Sequence, residues 1–336
     1  GLFMGIAWAT KWIGIYASVG LAVIFFWAIW NNMREDRAPL RGIWCFATAW
    51  AGLLTILGAL GSVVLDQSGM LALSTSKLAA IMIFAARWWV PLLAVGVALT
   101  AVGIALLSLR EESRLFFRLA IVSAFSVLMF IIVPLLTYYF SYYWHMRAEG
   151  GLTVARVVNL QKSIFGYHAG LHDTHYFRSE WYQWPVIAWP MWFYSGTQFM
   201  PEGVISSISC MGNPAVWWFG LAAMLFVAFA AAWRRRAPRA YVLVLIAFLS
   251  QYLPWVVVPR STFIYHYFAS VPFIIVAAAL LLDRIRAKNR LAFRVSAGVL
   301  AAVALLLFIA FYPLESGVPV ARGYAMLLRW FNWYNF

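Results

Sequence analysis

Eight stretches of this chain are apolar almost throughout, at roughly 3–30, 42–65, 79–109, 116–140, 215–233, 239–258, 262–282 and 292–313. A run of about 18 or more mostly apolar residues is long enough to cross the hydrocarbon core of a bilayer as a helix. The pattern therefore predicts an all-α, polytopic membrane protein with about eight transmembrane helices. Residues 1–336 read as a single transmembrane domain. The first and third runs are overlong, which predicts tilt, a kink or a broken helix there. The longest non-spanning stretch is 141–214. Within it "RVVNLQKSIFGYHAGL" has apolar positions at helical spacing, as in an amphipathic helix lying on a membrane surface. "WPVIAWPMWFY" follows, where Pro185 and Pro190 interrupt regular structure before the chain re-enters the bilayer.

Charge orients these spans. Arg34, Arg37 and Arg41 follow the first span, and Arg110, Arg114 and Arg118 the third. Arg234, Arg235, Arg236 and Arg239 follow the fifth, and Arg284, Arg286, Lys288 and Arg290 the seventh. The alternate connections are poor in cations, with Lys77 in one and Arg260 in another. Basic loops face the cytoplasm, so residues 141–214 form an outer-face interfacial segment and the stretch from about 314 is also outside. Composition fits: 65% of residues are hydrophobic and 11% charged, against about a quarter charged in soluble domains. Much of the net charge of +14 is topological, which removes nucleic acid as a partner. Cys45 and Cys210 fall on opposite sides and cannot pair. The chain opens with Gly inside an apolar run, and Gly1 falls outside, so an N-terminal truncation is expected.

Candidate chemistry gathers on the outer side. "YHAGLHDTHYFRSEWYQWP" holds three of the five histidines, and the 141–214 segment holds four. His168 and His172 would share a helix face if the helix persisted, with His175 or Asp173 as a third metal ligand. There is no HExxH, and the helix can end near Gly170, so an interfacial hydrogen-bonded network is the competing reading. Trp144, Trp181, Trp184, Trp189 and Trp192 have the character of an aromatic belt. Lys11 lies inside the first apolar run, where an ammonium either faces an anion or snorkels to the interface. Arg87 reads as snorkelling. Arg260, at the short turn "VPRSTFIYHYFASVPF", can hold a lipid phosphate. His266 in the same turn reads by default as a satisfied interior histidine.

"GIAWATKWIGIYA", "HAGLHDTHYFRSEWYQWP" and "VPRSTFIYHYFASVPF" resemble the membrane part of the protein O-mannosyltransferases, the shorter bacterial members most closely. His175, Ser179, Trp184 and Pro185 match that family's second motif. Tyr176 stands where the family usually has Pro, and Phe177 where it usually has Tyr. The resemblance implies a GT-C fold. It also implies inverting transfer of mannose from a polyprenyl (dolichyl-type) phosphate to Ser or Thr hydroxyls of exported proteins, on the outer face of a bacterial plasma membrane. The implied partners are the lipid-linked sugar donor, the protein acceptor and membrane lipid. No cofactor is required with certainty, and a divalent cation is left open. The family's catalytic Asp-Glu pair lies in its first outer loop, which has no counterpart in these residues, so the chain reads as a C-terminal portion. Asp173 and Glu180 are the weaker carboxylate candidates. Arg260 and then Lys11 are the candidates for the lipid phosphate. His175, Tyr176, Ser179, Trp184 and His266 are expected to shape the substrate pocket.

Two rivals remain at the level of sequence. A different GT-C enzyme acting on lipid or glycan acceptors would share the outer-face site. A transporter should instead show an inverted repeat and polar breaks at mid-bilayer; no clear repeat is present and the charges gather at the ends of spans.

Overall fold

The computed structural model describes residues 1–336 apart from 36–39, 68, 70, 74–76, 109–112, 171–174, 234–237, 259 and 335. Of the residues singled out above, Arg37, Arg110, Arg234, Arg235, Arg236, His172 and Asp173 lie outside the described set. Among the described residues seven helices are long and apolar enough to cross a membrane: Gly14–Asn31, Trp44–Gln67, Trp89–Leu107, Ile121–Ala148, Pro214–Trp233, Arg239–Val257 and Arg290–Ser316. The chain is an integral membrane protein. It divides into two units, one of residues 1–18 and 22–171, the other of 19–21 and 172–336.

In the first unit the two overlong runs are broken helices. The first splits into α1 (Leu2–Thr10) and α2 (Gly14–Glu35) around Lys11. A break inside an apolar run frees backbone groups that must find partners. Gly14 N–H donates to Lys11 O at 2.9 Å and Ile15 N–H to Trp12 O at 2.9 Å. Trp12 Nε1 donates to Tyr138 Oη at 2.9 Å, and Tyr138 donates in turn to Gln161 Oε1. After α3 (Leu40–Gln67) the third run splits at Trp88 into α4 (Lys77–Arg87) and α5 (Trp89–Ser108). α3 and α5 pack closely because glycines face the partner helix. A Cβ on Gly96 would stand 2.7 Å from Ile56 Cγ1 and 2.9 Å from Gly52 O. Small residues of this kind let backbones approach where lipid offers no hydrophobic drive. The fourth run is α6 (Ser113–Val127), a π-helical turn Leu128–Ile132 and α7 (Val133–Ser141), followed by α8 (Tyr143–Ala148). The wide turn sits just ahead of Pro134, whose ring and missing N–H would otherwise distort the ladder. The amphipathic stretch is α9 (Val154–Ala169), capped by Thr153, whose Oγ1 accepts from Arg156 N–H at 3.3 Å.

The second unit carries four long helices: α10 (Pro214–Trp233), α11 (Arg239–Tyr252), α12 (Val271–Lys288) and α13 (Arg290–Ser316). α12 packs on the other three. Asn213 starts α10, its Oδ1 accepting from Ala215 N–H at 3.1 Å while its Nδ2 donates to Ala304 O of α13 at 2.8 Å. α13 ends at Gly317, whose φ of +81° suits glycine and whose carbonyl accepts from Ser206 Oγ at 2.8 Å. A short α14 (Arg322–Leu328) follows.

One expectation changes here. The run 262–282 does not form one spanning helix. Ile264–Ala269 is a 3₁₀ helix, and α12 begins only at Val271 and spends its last turns on Asp283, Arg284, Arg286 and Lys288. The all-α reading holds, with two small two-stranded sheets beside the helices. β1 (Met191–Ser195) pairs antiparallel with β3 (Ser207–Cys210), and β2 (Val204–Ile205) with β4 (Val320–Ala321). Aromatic residues such as those of "MWFYS" favour strands as well as membrane interfaces, and composition does not separate the two.

Gly96→Leu is expected to force α3 from α5 and lower stability by about 1–3 kcal/mol, the usual cost of overpacking. Gly58→Leu, where a Cβ meets nothing within 4 Å, is expected to leave it unchanged. Thermal unfolding in detergent compares the two.

Candidate functional site

Two sequence-distant segments of the second unit are stitched together. Ser179 N–H donates to Thr262 O at 2.8 Å, and Thr262 Oγ1 donates back to Ser179 O at 2.7 Å. Ser179 Oγ also accepts from Trp184 Nε1 at 3.0 Å. The Trp184 indole is completely buried, lies over His266 with ring centres 6.0 Å apart at 28°, and meets Trp255 edge-on at 5.7 Å. An indole N–H buried without an acceptor would carry a desolvation penalty, so Ser179 is the hydroxyl that makes this burial feasible. His266 is buried too. Its Nδ1 lies 3.1 Å from Phe263 N and 3.0 Å from Phe263 O, closing the start of the Ile264–Ala269 helix.

The stitching aligns a row of rings. His175 meets Phe263 edge-on at 5.2 Å, Phe263 stacks on Tyr265 at 5.5 Å and 18°, and Tyr265 stacks on Phe193 of β1 at 6.1 Å and 25°. His175 is exposed, and its Nδ1 accepts from Phe177 N–H at 3.2 Å, which leaves Nε2–H as its outward donor. Arg260 stands beside Tyr265. Burial pushes the Tyr265 phenol above its ordinary value, the Arg260 guanidinium pulls it back, and the nearby Cys210 thiol pushes it up again. Burial, with the Glu315 carboxylate second, drives Cys210 itself up to about 12, so it is a thiol and not a thiolate nucleophile. Cys45 and Cys210 are both free.

The turn after Trp184 is held from far along the chain. Ile187 is buried with φ +56°, a left-handed conformation that β-branched residues rarely adopt and that costs about 1–3 kcal/mol. Its carbonyl accepts from the buried Tyr334 hydroxyl, and Ala188 O accepts from Trp333 Nε1 at 2.5 Å. Trp333 also stacks on Trp189, with centres 6.1 Å apart and planes 8° from parallel. Burial raises the Tyr334 phenol to about 12, keeping it a donor at neutral pH.

His175, Ser179, Trp184 and His266 thus belong to one contiguous set of contacts, and Arg260 lies two residues ahead of Thr262 in the turn stitched to it. Tyr176 is 70% exposed; it meets Phe177 edge-on at 4.9 Å and Trp189 at 6.0 Å, and Phe177 in turn lies 5.9 Å from His175. Glu180 is engaged as the N-cap of the 3₁₀ helix Trp181–Gln183, its N–H donating to Gln183 Oε1 at 2.7 Å. Lys11 belongs to the first unit, at the break between α1 and α2. His168 lies in α9, which ends at Ala169, so the shared helix face required of a His168–His172 metal pair does not run on that helix. His172 and Asp173 lie outside the described residues. Among the described residues no three His, Cys, Asp or Glu side chains gather at metal-binding distance. Sequence reasoning passed over Thr262, Phe263 and Tyr334 and placed Tyr265 in the turn without a role. The run "RSTFIY", with hydroxyls and two rings directly after Arg260, was the available signal for the first two; nothing local marks Tyr334.

A family model described as the C-terminal four TMM region of protein-O-mannosyltransferase matches residues 153–334, more than half of the chain. The polyprenol-phosphate-mannose–protein mannosyltransferase of Corynebacterium glutamicum is 25% identical over 236 residues, covering 60% of this chain and 45% of that protein. The protein of that name from Mycolicibacterium smegmatis is 25% identical over 185 residues, covering 50% and 35%. The chain therefore spans less than half the length of these relatives. Among solved structures, the Saccharomyces cerevisiae protein O-mannosyltransferase Pmt1–Pmt2 complex bound to the sugar donor is 18% identical. It aligns with a TM-score of 0.43 over 55% of this chain and 27% of that one.

Trp184→Phe keeps an aromatic ring but strands Ser179, and is expected to cost about 1–2 kcal/mol. Trp184→Ala also opens a cavity and is expected to cost about 3–5 kcal/mol. Tyr334→Phe, which leaves the Ile187 carbonyl unpaired, should fall near the first value. Thermal or denaturant unfolding of the purified protein orders the three.

Proposed function

The chain belongs to the protein-O-mannosyltransferase family through its C-terminal four-transmembrane region, and on that premise we propose that it forms the membrane part of a glycosyltransferase. In this reading the enzyme moves a mannosyl residue from a polyprenyl-phosphate sugar to Ser or Thr hydroxyls of exported proteins, with inversion. The site lies on the outer face of a bacterial plasma membrane. The alternation of basic and cation-poor connections and the bacterial relatives support that placement.

The reciprocal Ser179–Thr262 pair is the observation that carries the reading. It brings the segment with His175 and the turn with Arg260, 83 residues apart, onto one aromatic row. During transfer the acceptor oxygen attacks the anomeric carbon and the bond from that carbon to the phosphate oxygen breaks. The electron pair leaves with the phosphate. A guanidinium beside that oxygen stabilises charge as it develops, and Arg260 supplies it. Rings in a row suit the apolar face of a sugar, and His175 offers an N–H at one end. A carboxylate is the ordinary base for the acceptor proton; Glu180, an exposed side chain whose backbone caps the Trp181–Gln183 helix, is the carboxylate this segment offers.

Arg260→Ala is expected to reduce kcat/KM for mannose transfer to a Ser/Thr peptide by about 10²-fold or more, with Arg260→Lys recovering part of the loss. Unchanged transfer in Arg260→Ala, transfer to lipid but not peptide acceptors, or solute uptake in vesicles would each sink the proposal. The topology is tested separately. In a background with Cys45 and Cys210 replaced by Ser, Gly151→Cys should react with an impermeant maleimide on intact cells. Lys288→Cys should react only after permeabilisation.

A further inference from the structure

Three consecutive carbonyls in the turn after Trp184 each take a hydrogen bond from a ring donor elsewhere in the second unit. Val186 O accepts from Trp218 Nε1 at 3.3 Å, Ile187 O from the Tyr334 hydroxyl, and Ala188 O from Trp333 Nε1 at 2.5 Å. The segment that brings Trp333 and Tyr334 is itself anchored. Trp330 meets Phe311 of α13 edge-on at 5.2 Å and tilts against Trp218 of α10 at 6.0 Å. Trp333 is stacked against both Phe331, at 5.1 Å and 15°, and Trp189. Its N–H bond fixes one edge of the indole, and the stacked neighbours fix its plane.

From Trp333 a run of ring contacts reaches His175. Trp333 stacks on Trp189 at 6.1 Å, and Trp189 meets Tyr176 at 6.0 Å. Tyr176 meets Phe177 edge-on at 4.9 Å, and Phe177 lies 5.9 Å from His175. Phe177 also donates its backbone N–H to His175 Nδ1 at 3.2 Å. The exposed His175 ring therefore has two supports. One is Phe263, delivered by the Ser179–Thr262 pair; the other is Phe177, delivered by this run. A turn outside helices and strands relies on side-chain contacts to fix where its rings stand. Tyr334 and Trp218 bond the same turn as Trp333. Of the three, Trp333 is the one that also stacks on Trp189 and so enters the run to His175.

We propose that Trp333 is a positioning residue for the transfer reaction, holding the His175 ring and its Nε2–H in place at the end of the aromatic row. This rests on the transferase reading above and adds to it a residue that acts on substrate through other rings. Loss of the stack frees Trp189, then the Tyr176–Phe177 pair, and with it the N–H that holds His175 Nδ1.

The test reads His175 directly in the full-length protein purified from membranes. Diethyl pyrocarbonate acylates a neutral imidazole at the nitrogen with the available lone pair; in His175 that is Nδ1, which the Phe177 N–H engages. Peptide mass spectrometry follows modification at each histidine. Trp333→Ala is expected to speed His175 modification severalfold, with exposed His145 of the first unit and buried His266 unchanged. It should also lower kcat/KM for mannose transfer to a Ser/Thr peptide by about tenfold to 10²-fold, the scale of an ångström misplacement. Trp333→Phe keeps a stacked ring and should recover most of both. Leu327→Ala, exposed on α14, should change neither. Thermal unfolding checks that Trp333→Ala is folded; if it is not, Trp333→Leu, which keeps apolar bulk without the stack, replaces it. Unchanged His175 modification in the folded variant would overturn the proposal. So would a parallel rise at His266, which marks general loosening, or no recovery in Trp333→Phe. Faster modification with unchanged transfer would overturn it as well. Modification needs no sugar transfer, so the expected pattern in a protein without transfer activity would count against the transferase reading alone.

Discussion

The arrangement of the second unit depends on burying one indole. Trp184 has no exposed surface, and its ring N–H reaches Ser179. That single requirement fixes where Ser179 stands, and through it where Thr262 and the whole Arg260–His266 turn stand. A large ring packed against His266 and Trp255 contributes several kcal/mol of burial. A donor left unpaired at its edge would forfeit a large part of it. The residues that face solvent, His175 and the rings beside it, are therefore positioned by residues that do not. Precision at the surface of the site comes from satisfaction of polar groups beneath it.

The same accounting governs the helices. A break in a spanning helix is tolerated only where the freed backbone finds partners. At Lys11 those partners are local N–H to carbonyl bonds, supported by the Trp12–Tyr138–Gln161 chain. At Pro134 the preceding π turn absorbs the distortion. α3 and α5 stay unbroken along their contact, and their glycines convert the absence of side chains into close backbone packing. Apolar length decides that a segment enters the bilayer; the placement of its few polar and smallest residues decides its shape there.

Much of this architecture is legible in the sequence because a bilayer imposes a strong, local rule. Seven of the eight expected runs became long apolar helices, and both overlong ones are broken. The helix over "RVVNLQKSIFGYHA" and the break at Pro185 follow from equally local signals. The run 262–282 misled because hydropathy does not sense that His266 closes a 3₁₀ cap, or that α12 exhausts its apolar residues early. The two sheets escaped because four- and five-residue strands between prolines and glycines carry little pattern. At the site, the motif residues His175, Ser179, Trp184, Arg260 and His266 were recognisable as types. Their pairing was not, because a hydrogen bond between Ser179 and Thr262 leaves no trace in either segment taken alone.

Ile187 holds its left-handed backbone under a hydroxyl that arrives 147 positions later. During synthesis the segment around Trp184 is made long before Tyr334 exists. All of α10 to α13 is made in between. The turn that seats Trp184 is thus completed last, although its own residues are made early. The chain carries an order of assembly in which the long helices come first and this turn sets afterwards, so a nascent chain interrupted within α13 would have most of its helices made and its motif unfinished.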